Sequence, residues 1–357
     1  MFSALENLKI RIEGGSHSKR ISLFVDGLPK GAKIDKKKLQ EYVDRRKAQK
    51  AAYSTSRIEG DIVNFASGIN ENGELTGDTL EAYVLNTSQR SNDYSNLKNT
   101  PRPGHADFVA SVKYGGKLDM NGGGPFSGRM TLAICILGGI AKQILLKNNI
   151  EVEGYISSIA GITSKSYKDS IISLDEIKNA DPLFRVLDEN KAKLMKEKIS
   201  EAKENLDSVG GMVDCIAYNV PVGIGGPLFE GFEGKVSYAM FAIPAVKGVE
   251  FGAGFDISNM KGSTANDCFY YDENKKVKTY TNNNGGINGG ITNGMPITMR
   301  VAFKPVPSIA RPQKTINIET KENTIIEIKG RHDACIVPRA VVCVESMLLI
   351  CLLDSLI

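Results

Sequence analysis

Gly122-Gly123-Gly124-Pro125-Phe126-Ser127-Gly128-Arg129 runs straight into an apolar stretch, and how this join is read decides the fold. Over residues 127–147, Ile134, Leu137, Ile140, Ala141 and Ile144 recur at helical spacing, which predicts a buried core helix. A glycine turn at a helix start presents free backbone N–H groups at the positive end of the helix dipole, where a phosphate is well held. A glycine run before a helix is more often only a tight turn, so its neighbours must supply the meaning.

Upstream, residues 8–13 and 21–26 read as strands joined by a connection that carries His17. Asp35 is placed to N-cap a helix reaching about Lys50, with Leu39, Tyr42 and Val43 on its buried face. Residues 55–77 read as short strands and turns, with a turn at Glu71-Asn72-Gly73. Downstream, residues 181–207 form a lysine-rich surface helix, 209–229 a buried strand and loop, and 232–243 another helix. The Asn/Gly run at 282–290 has apolar segments on both sides and reads as an ordered loop.

Residues 336–357 are the most apolar of all, but Arg339, Glu345 and Asp354 interrupt them. That favours a buried or interface-forming helix over a membrane span. The chain stops almost on its last apolar residue, which leaves room for a short native tail. Neither a repeat nor a Pro/Ser-rich linker is present, so residues 1–357 are read as one domain of mixed α and β structure.

With 41% hydrophobic and 24% charged residues the chain can bury a sizeable core, and a net charge of +4 does not call for nucleic acid. The six cysteines are widely spaced without a C-x-x-C pair, and Cys135, Cys343 and Cys351 lie in apolar runs, as small buried hydrophobes do. A reducing, cytoplasmic setting without a disulfide framework is expected, and residues 1–12 lack the apolar core of a signal peptide. No zinc spacing, P-loop or dinucleotide fingerprint occurs, so no metal is expected.

Histidine titrates near neutrality, and this chain has three, His17, His105 and His332, each in a compact cluster with Gly, Arg or Asp. Arg45-Arg46-Lys47 is read as a helix end with Lys50 and Arg57 nearby, while Arg102, Arg129 and Arg331 sit inside the special clusters. Guanidinium forks match phosphate and carboxylate oxygens, so the set points to a polyanionic ligand.

In order along nearly the whole chain, these blocks closely resemble the chorismate synthase family. They include Gly14-Gly15-Ser16-His17, Asp26-Gly27-Leu28-Pro29, Asp44-Arg45-Arg46, Asn86, Ser91-x-Asp93-Tyr94 and Arg102-Pro103-Gly104-His105-Ala106-Asp107. Further along stand Gly122-Gly123-Gly124, Ser127-Gly128-Arg129, Ala245-Val246-Lys247-Gly248-Val249-Glu250, Lys304-Pro305 and Gly330-Arg331-His332-Asp333. The resemblance implies an α+β fold, a β-α-β sandwich with a helical layer between antiparallel sheets, assembled as a homotetramer. It implies 1,4-anti elimination of phosphate from 5-enolpyruvylshikimate 3-phosphate with reduced FMN, NADPH being one source of reducing equivalents. It assigns His17 to the leaving phosphate, His105 to the reduced flavin, Asp333 to a proton near flavin N5, and Ser16 and Ser127 to relay or orientation. Arg46, Arg102, Arg129 and Arg331 would hold substrate. Pro125, Phe126, Ser127, Pro244, Ala245, Gly289, Lys304, Pro305, Val306, Pro307, Ser308 and Arg331 would line FMN.

The chain departs from the family's usual pattern at Gly15 (Glu), Ser18 (Gly), Asn121 (Arg), Pro125 (Arg or His) and Pro244 (Asn). The proton-handling residues remain while polar neighbours are lost. Weaker FMN binding is the expectation, and an impaired or inactive homologue that keeps the fold is the alternative.

Overall fold

The computed structural model describes residues 5–48, 60–86, 99–118, 120–328 and 333–357. The chain opens with β1 (Lys9–Glu13) and β2 (Arg20–Asp26), then α1 (Lys36–Asp44), β3 (Asn64–Ser67) and β4 (Leu80–Leu85). These strands make an antiparallel sheet in the order β1-β2-β4-β3, whose inner face carries Ile21, Leu23, Val25, Leu80, Ala82 and Val84. The His17 connection therefore hangs from the end of this sheet, between β1 and β2.

Asp35 caps α1 as the sequence predicts, accepting from the Lys37 and Lys38 N–H groups. The helix ends at Asp44 rather than near Lys50, because the Arg45 N–H turns back to the Tyr42 and Val43 carbonyls. Next come α2 (Asp107–Tyr114) and α3 (Thr131–Leu145). The predicted start of α3 at Ser127 is instead a single 3-10 turn, Gly128–Met130. By length and composition the Gly128–Asn148 segment could cross a membrane, yet it lies in the core, with Leu137, Ile140 and Ala141 fully buried.

The second half supplies β5 (Glu151–Ile159), β6 (Ile162–Thr163), α4 (Leu174–Asn179), α5 (Glu189–Glu204), β7 (Gly211–Tyr218), α6 (Phe232–Phe241) and β8 (Val246–Phe251). The helix predicted over 181–207 starts only at Glu189, capped by Asp188. The residues before it run alongside β5, where the Arg185 carbonyl accepts from the Ile156 N–H at 2.7 Å. After α7 (Gly262–Ala265) come the short hairpins β9 (Phe269–Tyr271) with β10 (Val277–Thr279) and β11 (Ile287–Asn288) with β12 (Ile291–Thr292). The chain then runs through β13 (Ile297–Phe303), β14 (Gln313–Asn317), β15 (Glu322–Ile326) and α8 (Val337–Leu356). The second antiparallel sheet has the order β6-β5-β7-β13-β8.

Between the sheets lie α3 and α8. The former packs against β2 and α1, the latter against β5, β7 and α6, and the two pack on each other. The β-α-β sandwich expected from sequence is the architecture found. Gly138 and Gly139 allow this closeness. A Cβ on Gly138 would lie 2.5 Å from Ser346 Cα, and one on Gly139 would lie 2.6 Å from Leu39 Cδ1. Helix-interior glycines cost about 1 kcal/mol each, offset here by the packing they permit.

The two acidic residues of α8 are buried and paired. Glu345 takes a two-pronged bond from Arg45 (2.6 and 2.7 Å), a contact from Arg185 at 3.2 Å and the Gly154 N–H at 2.9 Å. Asp354 accepts from the Glu6, Asn7 and Leu8 N–H groups and from Lys235. Thus α8 is a core helix whose charges clamp the N-terminal segment and β5.

Candidate active site

The glycine turn forms the pivot of the site. Gly122 (φ 62°), Gly123 (φ 96°) and Gly124 (φ 49°) are successive left-handed residues, a path closed to side chains. A Cβ on Gly122 would sit 2.7 Å from His17 Cε1 and 2.9 Å from Ser16 Oγ. On Gly123 it would sit 3.3 Å from His105 Nε2. The turn is therefore a bare backbone wedge, with Ser16 and His17 on one side and His105 on the other. Ser127 ends it, its hydroxyl accepting from the Arg129 N–H at 3.2 Å.

A cleft of about 560 Å³ opens beside this wedge. It is lined by Ser16, Arg46, Arg102, His105, Pro125, Phe126, Ser127, Arg129, Pro244, Ala245, Lys304, Val306, Pro307, Ser308 and Asp333. His17 lies against the wedge from behind. Pro305 is not among the lining residues and lies beside Gly210, while Gly289 is in the β11–β12 hairpin, also away from the cleft. Arg331 and His332, like Lys50, Arg57 and Ser91 to Tyr94, fall outside the described residues.

His105 is oriented by Asp107. Its Nδ1 lies 2.7 Å from Asp107 Oδ1, which fixes the proton on Nδ1 and turns Nε2 to the glycine turn. Arg102 holds the same carboxylate, Nε to Oδ2 at 2.7 Å and Nη2 to Oδ1 at 2.8 Å, and its Nη1 donates to Ser308 Oγ at 3.1 Å. Burial opposes ionisation of Asp107, but these bonds from Arg102 and His105 outweigh it and hold its pKa well below the usual carboxylate range. The sequence reading gave Arg102 to the substrate. In the structure its guanidinium is committed to protein acceptors, so it braces the His105–Asp107 pair.

Arg46 and Arg129 behave differently. Arg46 Nε donates to Thr131 Oγ1 and Nη2 to the Gly128 carbonyl, both at 2.8 Å, which ties α1 to the start of α3. Arg129 Nε donates to Asn86 Oδ1 at 3.0 Å, and Asn86 Nδ2 in turn holds the Ser18 carbonyl of the His17 loop at 2.7 Å. Asp61 stands between the two guanidiniums, 2.7 Å from Arg129 and 3.6 Å from Arg46. Among the described residues Arg46 Nη1 and Arg129 Nη2 remain without hydrogen-bond partners although buried. Burial first, then the charge of Arg339, lowers the pKa of Arg46 from its ordinary value, a sign of positive charge short of counter-charge.

Asp61 and Arg339 escaped the sequence reading as site residues. Asp61 lies in left-handed backbone (φ 47°), for which a lone Asp after Gly60 gives little warning. Arg339 had a signal, a cation at the start of the most apolar helix. It donates to Asp333 Oδ2 at 2.7 Å and to the Arg46 carbonyl at 2.9 Å, and among the described residues Asp333 Oδ1 is buried without a partner. The opposite wall is apolar, formed by Phe126, Ile243, Pro244, Phe303, Val306 and Pro307, with Ala245 in left-handed backbone (φ 74°) at the turn. Lys304 closes one end, its Nζ 2.5 Å from the Gly104 carbonyl.

This arrangement has counterparts in known proteins. The chorismate synthase family model matches residues 8–357. A chorismate synthase of Methanococcus aeolicus is 44% identical over 99% of this chain and 96% of its own length. One from Methanocaldococcus jannaschii is 43% identical over 98% and 94%. A crystal structure of chorismate synthase superposes with a TM-score of 0.74 at 25% identity, covering 98% of this chain and 92% of its own. A match of this length and identity, over a cleft of this chemistry, settles the descent: the chain belongs to the chorismate synthase family, whose members are lyases.

Proposed function

We propose that the cleft converts 5-enolpyruvylshikimate 3-phosphate to chorismate by 1,4-anti elimination of phosphate, with reduced FMN bound beside the substrate. One observation carries the reading: His17 and His105 flank a bare glycine wedge beside a cleft whose buried arginines, among the described residues, still have N–H groups to give. The substrate brings a phosphate and two carboxylates, and Arg46 Nη1 and Arg129 Nη2 are the donors placed to receive them.

The residues present also fit a flavin mononucleotide. The apolar wall from Phe126 to Pro307 suits a flat ring, and Lys304, Ser308 and the backbone at Gly122 suit its polar edge and phosphate. Reduced FMN held there supplies an electron-rich ring that assists cleavage of the allylic carbon–oxygen bond. His17 gives a proton to the departing phosphate, and Ser16 orients it. His105 holds a proton on the other side of the wedge, its tautomer fixed by Asp107. Asp333 Oδ1 accepts the proton lost from the substrate, while Arg339 holds and aims that carboxylate through Oδ2. Ser127 orders the turn, and Arg331 adds its charge to the substrate set.

A homotetramer in the cytoplasm, with NADPH as one source of reducing equivalents, completes the reading. The test is an anaerobic assay with photoreduced FMN and 5-enolpyruvylshikimate 3-phosphate. Chorismate and phosphate should appear in equal amounts. No turnover at any FMN concentration would overturn the catalytic reading in favour of a non-catalytic homologue.

A further inference from the structure

Cys135 on α3 and Cys343 on α8, 208 residues apart in sequence, face each other with sulfurs 3.8 Å apart, both reduced and buried. Cys343 also lines the cleft, beneath the arginine cluster. We propose that this pair is an oxidisable dithiol in the floor of the active site, taking hydroperoxides as its oxidant. The proposal rests on the reading of the cleft only for its effect on activity.

The two sulfurs have distinct environments. The hydrogen bond from Cys135, partly opposed by burial and helped by the charge of Arg46, brings the Cys343 thiol down to about 7. Burial pushes the Cys135 thiol well above its ordinary value. Cys343 is thus the nucleophile, facing the cleft, and Cys135 the resolving thiol behind it, the arrangement of redox-responsive cysteines.

The step balances. Cys343 thiolate attacks one peroxide oxygen, breaking the O–O bond and releasing water once the hydroxide takes up the thiol proton. The Cys343 sulfenic acid is then attacked by the Cys135 sulfur, forming the S–S bond and releasing a second water. Two thiols are oxidised by two electrons and one peroxide is reduced.

The helices permit the crosslink. One turn further along each helix, Gly138 lets the α3 backbone approach Ser346 of α8 closely, so the sulfurs need only move from 3.8 Å to about 2 Å. Closing them draws on Thr131, the first residue of α3. Its hydroxyl holds Arg46 Nε and contacts Cys343, so oxidation shifts an anion-binding arginine.

The experiment treats the reduced, full-length Cys268→Ser protein, which lacks the one exposed thiol, with hydrogen peroxide under nitrogen. Thiols are titrated after denaturation and peptides are mapped. Two thiols should disappear, with Cys135 and Cys343 in one crosslinked peptide, and dithiothreitol should restore both. The substrate KM of the oxidised form should rise roughly tenfold or more and recover on reduction. In a Cys135→Ser variant, dimedone should label Cys343 instead, and the unsubstituted protein mapped in parallel covers any folding defect of that variant. Retention of all thiols, or a crosslink between other cysteines, would overturn the site. A complete Cys135–Cys343 crosslink with unchanged KM would overturn its effect on activity, and without turnover the peptide map alone decides the dithiol.

Discussion

Gly122→Ala separates the chemistry of the wedge from its folding. The methyl group would lie 2.7 Å from His17 Cε1, 3.0 Å from His17 Nδ1 and 2.9 Å from Ser16 Oγ, whereas carbon atoms settle at about 3.5–4.0 Å. Something must move by roughly 1 Å, and the His17 ring is softer than backbone. Alanine at φ 62° costs about 1–2 kcal/mol, which lowers Tm by roughly 2 °C in a chain of this size. A misplacement of about 1 Å in a reacting group costs roughly 10²-fold in rate. The control is Gly115→Ala at the end of α2, also left-handed (φ 58°) but with nothing within 4 Å of the added methyl. Both variants should lose similar stability in thermal unfolding, and only Gly122→Ala should lose about 10²-fold in anaerobic turnover with reduced FMN. Equal rates in the two variants would refute the wedge argument, because strain would then be the whole effect.

Asp107→Asn should lower kcat by roughly 10²-fold or more and distort its pH profile, since an amide no longer fixes the Nδ1 proton of His105; an unchanged profile would count against that role. Glu345→Gln should destabilise the fold by about 3–5 kcal/mol at pH 7, measured by urea unfolding, because Arg45 and Arg185 are left without their buried counter-charge. In the parent, burial opposes ionisation of Glu345, but Arg45 first and then Lys142 and Arg185 bring its pKa down to about 2. A depressed carboxylate stabilises above its unfolded pKa and ceases to as pH falls through its folded one. On the order of 3 kcal/mol should therefore fade between about pH 4.5 and 2, and Glu345→Gln should lack this slope. Gly15→Glu together with Pro125→Arg should tighten FMN roughly ten- to hundredfold in titrations, since a Cβ on Gly15 meets only the Gly124 backbone, at 3.7 Å and beyond. No gain would show that other groups already serve the cofactor.

Local pattern explains what could be read in advance. The apolar period of α3, the Asp35 cap and the two strands flanking His17 are short-range signals, and the structure has them. The end of α1 was misjudged because Arg46 looked like a solvated helix end. It is instead buried against Thr131 and Gly128, contacts more than 80 residues away. The stretch before α5 carries helix-forming residues, but its backbone is taken up beside β5 through Arg185, whose side chain reaches Glu153 at 2.6 Å. Glu345 and Asp354 spoke against a membrane span, yet their partners lie near the other end of the chain. The site arginines could be named from their clusters, whereas their division of labour could not. Arg102 has every guanidinium nitrogen matched, by the Asp107 carboxylate and the Ser308 hydroxyl, whereas Arg129 Nη2 has no partner among the described residues.

That division explains how one cleft can gather two anionic ligands. Arg102 is matched by Asp107 and Arg339 by Asp333, so each pair is close to neutral and, in the proposed reaction, would aim a proton-handling group. Among the described residues Arg46 and Arg129 share the carboxylate of Asp61, and Lys304 bonds to the Gly104 carbonyl. Excess positive charge therefore gathers around Arg46 and Arg129, while Lys304 stands at Gly104, next to His105. Without Asp61 the two buried guanidiniums would repel each other across a poorly screened interior, and the empty site would resist folding. With Asp61 they are held in place yet incompletely paired, each with a buried nitrogen that has no hydrogen-bond partner among the described residues. An incoming phosphate or carboxylate would then complete the arginine pair, supplying the counter-charge that the folded protein lacks.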